Sequence, residues 1–153
     1  MVNVFEYLKT NKVQPWDTYP YETKAGSCRY VASKGVVGVK SYVPLPSKNP
    51  QALMDAVAKQ PVSVAINSRS SDFFFYKSGV IDSDKCGTVV NHAVLLIGYG
   101  TDAASKTDYW LLKNSWGPSW GEKGFFKVKR TMKPGVPGTC GILSDHSSYP
   151  VVA

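Results

Sequence analysis

Residues 109–121 read Tyr109-Trp110-Leu111-Leu112-Lys113-Asn114-Ser115-Trp116-Gly117-Pro118-Ser119-Trp120-Gly121. The first part is apolar and β-prone and predicts a strand over 109–113. That strand ends at a polar amide, Asn114, and a turn rich in tryptophan, glycine and proline follows. Because tryptophan is bulky and glycine permits sharp bends, the stretch predicts a rigid strand end that holds one amide side chain in place.

Apolar runs on both sides of this stretch extend the sheet. They alternate with turns of glycine, proline, serine and aspartate, and they predict strands over 62–66, 93–99 and 124–129. Two helices are predicted before them. The clearer one covers 50–58, where Asn49 can cap it and a proline occupies its first position, and an amphipathic helix is expected close to the N-terminus. Helices first and mainly antiparallel strands afterwards predict the α+β class.

The composition and charge argue against nucleic-acid and membrane partners. The chain has 153 residues, of which 43% are hydrophobic and 19% charged, as in a soluble globular domain. The formal net charge is +7, but the lysines are scattered and form no block, so we expect no nucleic-acid partner. The sequence contains no apolar run of about 18 residues, the length of a membrane span, and we expect no membrane partner.

A histidine lies in another of the apolar runs. His92 follows Asn91 and precedes the run 93–97. A lone histidine in a strand is more often structural than catalytic, although imidazole is the side chain best suited to proton transfer near neutral pH. The turn after Asn114 changes this balance, because two tryptophans and several glycines form a costly, rigid arrangement beside a polar amide. The residues therefore favour His92 as a functional base.

These segments together resemble the papain family of cysteine proteases, and the cathepsin L-like branch fits best. The similarity runs through nearly the whole chain. Its most specific parts are Asn91-His92-Ala93-Val94, Gly98-Tyr99-Gly100, the stretch 109–121 and Cys140-Gly141-Ile142. The resemblance implies a papain-like two-domain α+β fold. Residues 1–43 would be a remnant of the helical left domain, residues 44–148 an antiparallel, β-barrel-like right domain, and residues 149–153 a C-terminal tail.

The resemblance also implies roles for the paired side chains. Family members hydrolyse peptide bonds through a cysteine thiolate, a histidine and an asparagine, which makes His92 the base and acid and Asn114 its orienter. Trp116 would cover the bond between them and floor the leaving-group side of the cleft. The other interpretation is a tryptophan that only fills the core. The resemblance implies neither a cofactor nor a metal.

The three cysteines, Cys28, Cys86 and Cys140, leave at least one thiol unpaired within the chain. No two of them have the spacing of a zinc site or a redox motif. By resemblance, Cys86 and Cys140 form a disulfide, and Cys28 is a half-cystine whose usual partner lies upstream. Cys28 or Cys86 as an unorthodox nucleophile is a weak alternative, because neither lies in the Gly-x-Cys-Trp helix start that activates the family's thiol.

The substrate pocket follows from the resemblance as well. Ala65, Val90 and Asn91 would contribute to a mainly apolar pocket for the second residue before the scissile bond. The far end of the pocket comes from the stretch between Cys140 and Tyr149, where the register is ambiguous. If Asp145 faces the pocket, arginine is accepted there. If Asp145 faces solvent, leucine or phenylalanine is the default.

The missing nucleophile shapes the functional prediction. We expect the chain to be the C-terminal part of a cysteine endopeptidase, starting at an internal methionine and inactive alone. Its partners would be the missing N-terminal segment and a protein or peptide substrate. The alternative is a non-enzymatic pseudo-peptidase, used as a binding or inhibitory module. A lysosomal or secreted location follows from the family and from the expected disulfide.

Overall fold

The computed structural model describes residues 1–144 and 147–152, and the chain divides into two compact units. The first unit comprises Met1–Val43 with the C-terminal residues from Pro150, and the second comprises Pro44–Tyr149. Helices and strands are both present and the strand pairs are mainly antiparallel, which confirms the predicted α+β class.

The first unit contains little regular structure. Its elements are α1 (Val2–Thr10), a 3-10 turn (Ala32–Lys34) and most of β1 (Val39–Pro44). The helix predicted near the N-terminus is therefore confirmed, but none of its residues is buried. Among the described residues of this unit only Val39 is buried, so the unit has no hydrophobic core of its own.

The second unit carries the other elements. Its helical segments are α2 (Pro50–Val57), α3 (Ser71–Phe74) and 3-10 turns at Asp84–Cys86 and Thr139–Gly141. Its strands are β2 (Val62–Ile66), β3 (Val80–Ile81), β4 (His92–Thr101), β5 (Asp108–Lys113), β6 (Phe125–Lys129) and the start of β7 (Ser148–Val152). The strand order is β7-β2-β4-β5-β6-β3. Neighbouring strands are antiparallel except β3 and β6, which are parallel.

Helix α2 begins and ends as its sequence predicts. The side chain of Asn49 accepts a hydrogen bond from the Ala52 N–H over 3.0 Å, and Pro50 occupies the first turn. This cap satisfies one of the free N–H groups at the helix start. The buried face consists of Pro50, Leu53, Ala56 and Val57, and it packs into the core of the second unit.

The core of the second unit lies on one side of strands β2, β4, β5 and β6. The core residues of these strands alternate along the chain, because successive side chains in a strand point to opposite faces, and β2 buries Ala65 in addition. Their largest fully buried members are Trp110, Phe126, Leu96, Ile66 and Leu112. The prediction of β2 is correct at both ends, and those of β4, β5 and β6 are correct to within two residues.

A disulfide joins Cys86 to Cys140, which confirms the pairing implied by the resemblance. Their Cα atoms lie 4.9 Å apart, and the sequence separation is 54 positions. Both half-cystines are buried, and each belongs to a 3-10 turn. The bridge therefore fixes the segment that leads into β4, at whose first residue His92 lies.

Replacing both Cys86 and Cys140 by alanine is expected to lower the free energy of unfolding by about 4 kcal/mol, because the open chain regains loop entropy. Urea unfolding of the 153-residue chain measures the change. Cys28→Ala removes the exposed thiol of the first unit, and as a control it should change stability by less than about 0.5 kcal/mol. A loss below about 1 kcal/mol in the double variant would contradict the prediction.

Candidate active site

His92 and Asn114 lie at the same end of two paired strands. His92 is the first residue of β4, and Asn114 directly follows β5. Since β4 and β5 are antiparallel neighbours, the start of one strand meets the end of the other. The imidazole Nε2 lies 2.9 Å from the Asn114 side-chain oxygen Oδ1. An amide oxygen only accepts, so Nε2 carries the proton in this bond and Nδ1 is left as the acceptor nitrogen of the neutral ring.

The Asn114 side chain is fixed by its surroundings. The residue is 4% exposed, and its Oδ1 also accepts a hydrogen bond from the Ser115 N–H over 2.8 Å. Its backbone N–H donates to the Gly124 carbonyl over 2.9 Å. A buried amide with these contacts has little rotational freedom, so it can hold the imidazole plane in one orientation.

The Trp116 ring packs against the ring of His92. Its ring centroid lies 5.4 Å from that of His92, with the planes inclined by 38°. The residue remains 38% exposed, unlike a core tryptophan such as Trp110, which is fully buried. Trp116 therefore lies at the surface beside His92, and shielding of the His92–Asn114 hydrogen bond by this ring stays a prediction.

The turn that carries Trp116 depends on glycine at two positions. Gly121 has φ of +58°, and a Cβ there would lie 2.7 Å from the Phe125 carbonyl oxygen. Gly124 has φ of +90°, and a Cβ there would lie 3.2 Å from the Gly117 carbonyl oxygen. Side chains at these positions would be strained and crowded, which explains the glycine-rich sequence after Asn114.

Phe73, which the sequence analysis missed, is the centre of the surrounding aromatic cluster. It is fully buried, and its ring lies 6.0 Å from His92, 5.3 Å from Trp116 and 5.0 Å from Trp120. It lies on α3, where the Ser70 hydroxyl accepts a hydrogen bond from the Phe73 N–H over 3.2 Å. The only sequence signal is the run of three phenylalanines from 73 to 75, which does not show which ring points inward.

Glu122 and Tyr76 form a second feature that sequence reasoning missed. Glu122 Oε1 accepts a hydrogen bond from the Gly79 N–H over 3.0 Å. It also lies 3.0 Å from the Tyr76 hydroxyl, whose shorter contact is with the Gly79 carbonyl oxygen at 2.6 Å. Lys127 completes the group, with its Nζ 3.3 Å from Glu122 Oε2. Burial, and then the hydrogen bond to Glu122, raises the pKa of Tyr76 far above its ordinary value. Burial also acts to raise the pKa of Glu122, but the bonds from Tyr76, Gly79 and Lys127 outweigh it and lower that pKa.

The predicted pocket residues lie beside the start of β4. Asn91 Oδ1 accepts hydrogen bonds from the N–H and the hydroxyl of Ser68, over 2.9 and 3.1 Å. Ala65 is buried on β2 opposite Ala93, and Val90 is half-buried immediately before Asn91. Asp145 lies outside the described residues, so its orientation toward the pocket or solvent stays a prediction.

Two of the three cysteines are bonded to each other, and the third is free. Cys86 and Cys140 are consumed by their disulfide, and Cys28 is an exposed free cysteine of the first unit. Within residues 1–144 and 147–152, no group of three histidine, cysteine, aspartate or glutamate side chains could hold a metal ion. In the same part of the chain, no helix has the length and apolar character needed to cross a bilayer.

Relatives and solved structures agree on the family. The chain is 43% identical over 149 residues to a KDEL-tailed cysteine endopeptidase of Arabidopsis thaliana, covering 96% of this chain and 40% of the relative. It is 44% identical over 147 residues to mexicain of Jacaratia mexicana, covering 95% and 64%. It also matches the structure of the bromelain protease from Ananas comosus in complex with the E64 inhibitor, with a TM-score of 0.85, 38% identity, and coverage of 97% of this chain and 67% of the other.

The family match extends over almost the whole chain, although the chain spans only about 40–65% of the length of the first curated relatives. Residues 1–151 match the family described as papain family cysteine protease. The papain-like α+β fold is shared with solved members of that family. This chain belongs to the papain family of cysteine proteases.

Proposed function

We propose that this chain supplies the histidine and the asparagine of a cysteine endopeptidase whose nucleophilic thiol lies outside residues 1–153. The observation that carries the proposal is the 2.9 Å hydrogen bond between His92 Nε2 and Asn114 Oδ1, with the Trp116 ring packed against His92. Membership of the papain family supports the reaction class. The bonding state of Cys86 and Cys140 supports the assignment of the thiol to another segment.

The proposed reaction is acyl transfer to sulfur and then to water. With Nε2 held by Asn114, Nδ1 of His92 takes the proton of the thiol, and the thiolate attacks the peptide carbonyl carbon. The protonated imidazole then gives its proton to the leaving amine as the C–N bond breaks, leaving a thioester. In the second half His92 takes a proton from water, and the hydroxide attacks the thioester carbon. The C–S bond then breaks, the acid product leaves, and the imidazolium returns its proton to the sulfur.

The proposal also includes the domain bounds, the residues of the substrate pocket and the location of the protein. Residues 1–43 are the remnant of the helical left domain, residues 44–148 the barrel-like right domain and residues 149–153 the tail. Ala65, Val90 and Asn91 contribute to the pocket for the second residue before the scissile bond, supported by the position of Ala65 and Asn91 beside the start of β4. A lysosomal or secreted location is supported by the buried disulfide, because such bonds persist in oxidising compartments.

The test joins residues 1–153 to the part of mexicain that this chain does not match. We expect the chimera to cleave peptides with leucine or phenylalanine at the second position before the scissile bond, and a thiol-alkylating reagent to abolish the cleavage. The 153-residue chain alone should be inactive. Cleavage of matching arginine peptides would place Asp145 in the pocket. A folded chimera without peptidase activity would favour the alternative, a pseudo-peptidase that acts as a binding or inhibitory module.

A further inference from the structure

Glu122 is the meeting point of three chain segments in the second unit. It lies in the turn that follows Asn114 and carries Trp116 and Trp120. Its carboxylate receives the N–H of Gly79 and faces the Tyr76 hydroxyl, both from the segment after α3, and it pairs with Lys127 of β6. The glutamate side chain is 32% exposed, so these interactions are partly shielded from water. A partly buried carboxylate with several donors forms charge-assisted hydrogen bonds, which are stronger than neutral ones.

Trp120 also connects the turn after Asn114 with the segment that ends α3 and follows it. The indole Nε1–H of Trp120 donates to the Phe74 carbonyl over 3.1 Å, and the Trp120 and Tyr76 rings lie 5.7 Å apart. The turn after Asn114 is therefore held to the segment after α3 at both Trp120 and Glu122. Contacts at two positions restrain the turn more than a single contact would.

Two contacts between aromatic rings connect the turn after Asn114 with His92. Trp120 lies 5.3 Å from Trp116, ring centroid to ring centroid, and Trp116 lies 5.4 Å from His92. Both tryptophan rings also pack against the fully buried ring of Phe73, so a displacement of Trp120 changes the packing on which the position of Trp116 depends. A shift of the turn at Glu122 would therefore move the Trp116 ring that packs against His92.

We propose that Glu122 is a positioning residue: its carboxylate holds the turn after Asn114 so that Trp116 keeps water from the His92–Asn114 hydrogen bond. It acts through Tyr76, Gly79 and Trp120 and does not touch the imidazole. The proposal rests on the proposed function for the catalytic meaning of His92, but its structural content concerns only the protection of one hydrogen bond.

The test measures water exchange of the His92 ring N–H by nitrogen-15 NMR in the 153-residue chain. The chain has two histidines, so a His146→Gln background leaves a single imidazole signal. Glu122→Ala is expected to make this proton exchange about tenfold faster than in the unsubstituted background. Glu122→Gln should have a smaller effect, because the amide oxygen still accepts from the Gly79 N–H.

Two controls separate positioning from general loss of stability. Asp82→Asn breaks an exposed ion pair of the same type, in which Asp82 Oδ2 lies 2.9 Å from Lys129 Nζ, and should leave exchange of the ring proton within about twofold. The backbone N–H of buried Leu112 should keep its exchange rate within about twofold in every variant, because a local effect does not open the core.

The exchange rates at His92 and Leu112 together support or contradict the positioning role of Glu122. Equal acceleration at Leu112 and His92, or no acceleration at His92, would overturn the positioning role. If Glu122→Ala does not fold, Glu122→Gln and Tyr76→Phe carry the test, since selective acceleration at His92 is expected in both. The readout needs neither thiol nor substrate. An inactive chimera would thus defeat the proposed function while leaving this result standing, and a negative NMR result would leave the chimera test intact.

Discussion

His92→Ala is expected to lower kcat/KM of the mexicain chimera by about 1,000-fold. The imidazole has two tasks in the proposed reaction, taking the proton of the thiol and returning it to the leaving amine, and alanine can do neither. The 2.9 Å bond to Asn114 fixes which nitrogen is available for these tasks. Steady-state kinetics with a fluorogenic leucine-containing peptide measures the loss.

Two further variants show whether the loss comes from the pair. Asn114→Ala should cost less than His92→Ala, because it keeps the imidazole but frees its orientation. Lys113→Ala alters the exposed neighbour of Asn114 at the end of β5 and should leave kcat/KM within about threefold. A His92→Ala chimera that retained more than about a tenth of the activity would exclude His92 as the base.

Phe73→Ala is expected to lower the free energy of unfolding by about 4 kcal/mol. The side chain is fully buried, and its ring lies within 5.3 Å, centroid to centroid, of Trp116, Trp120 and Phe126. Truncation removes apolar burial and leaves a cavity that fixed tryptophan rings cannot close. Urea unfolding followed by tryptophan fluorescence measures the change as a lower midpoint with an unchanged slope.

The same helix offers a matched control. Phe74 is the next residue of α3, is 59% exposed, and contacts Trp116 at a centroid distance of 5.8 Å. Phe74→Ala should cost less than about 1 kcal/mol, because most of that ring is already in water. Equal losses at the two positions would show that the packing around Phe73 does not set the stability of this unit.

The long elements of the second unit could be predicted from sequence alone. Strands β2, β4, β5 and β6 have sustained apolar patterns, and α2 has a capping asparagine and an initial proline. The other elements lack such signals. Helix α3 has four residues and β3 has two, and β3 is defined by its parallel pairing with β6, a contact between residues 47 apart. Pairing at that distance depends on tertiary packing, which local patterns do not encode.

The residues of the candidate site likewise fall into those that the sequence predicted and those that it did not. His92, Asn114 and Trp116 lie in distinctive motifs, so residue patterns and resemblance predicted them together, and the structure brings all three into one cluster. Tyr76 and Glu122 are 46 residues apart, and neither lies in a pattern that indicates the other. Sequence reasoning finds groups with recognisable chemistry more readily than the supports that hold them in place.

The candidate catalytic histidine and the connecting turn lie at opposite ends of the β4–β5 hairpin. Strand β4 has ten residues and spans roughly 30 Å, with His92 at one end and a turn over 102–107 at the other. That turn is closed locally: the Asp102 N–H donates to the Thr107 carbonyl, and the Ser105 hydroxyl donates to the Asp102 carboxylate. An exposed, self-contained turn tolerates added length. A peptide epitope inserted at Ala104, or a fluorophore attached there, would therefore label the protein far from the imidazole of His92.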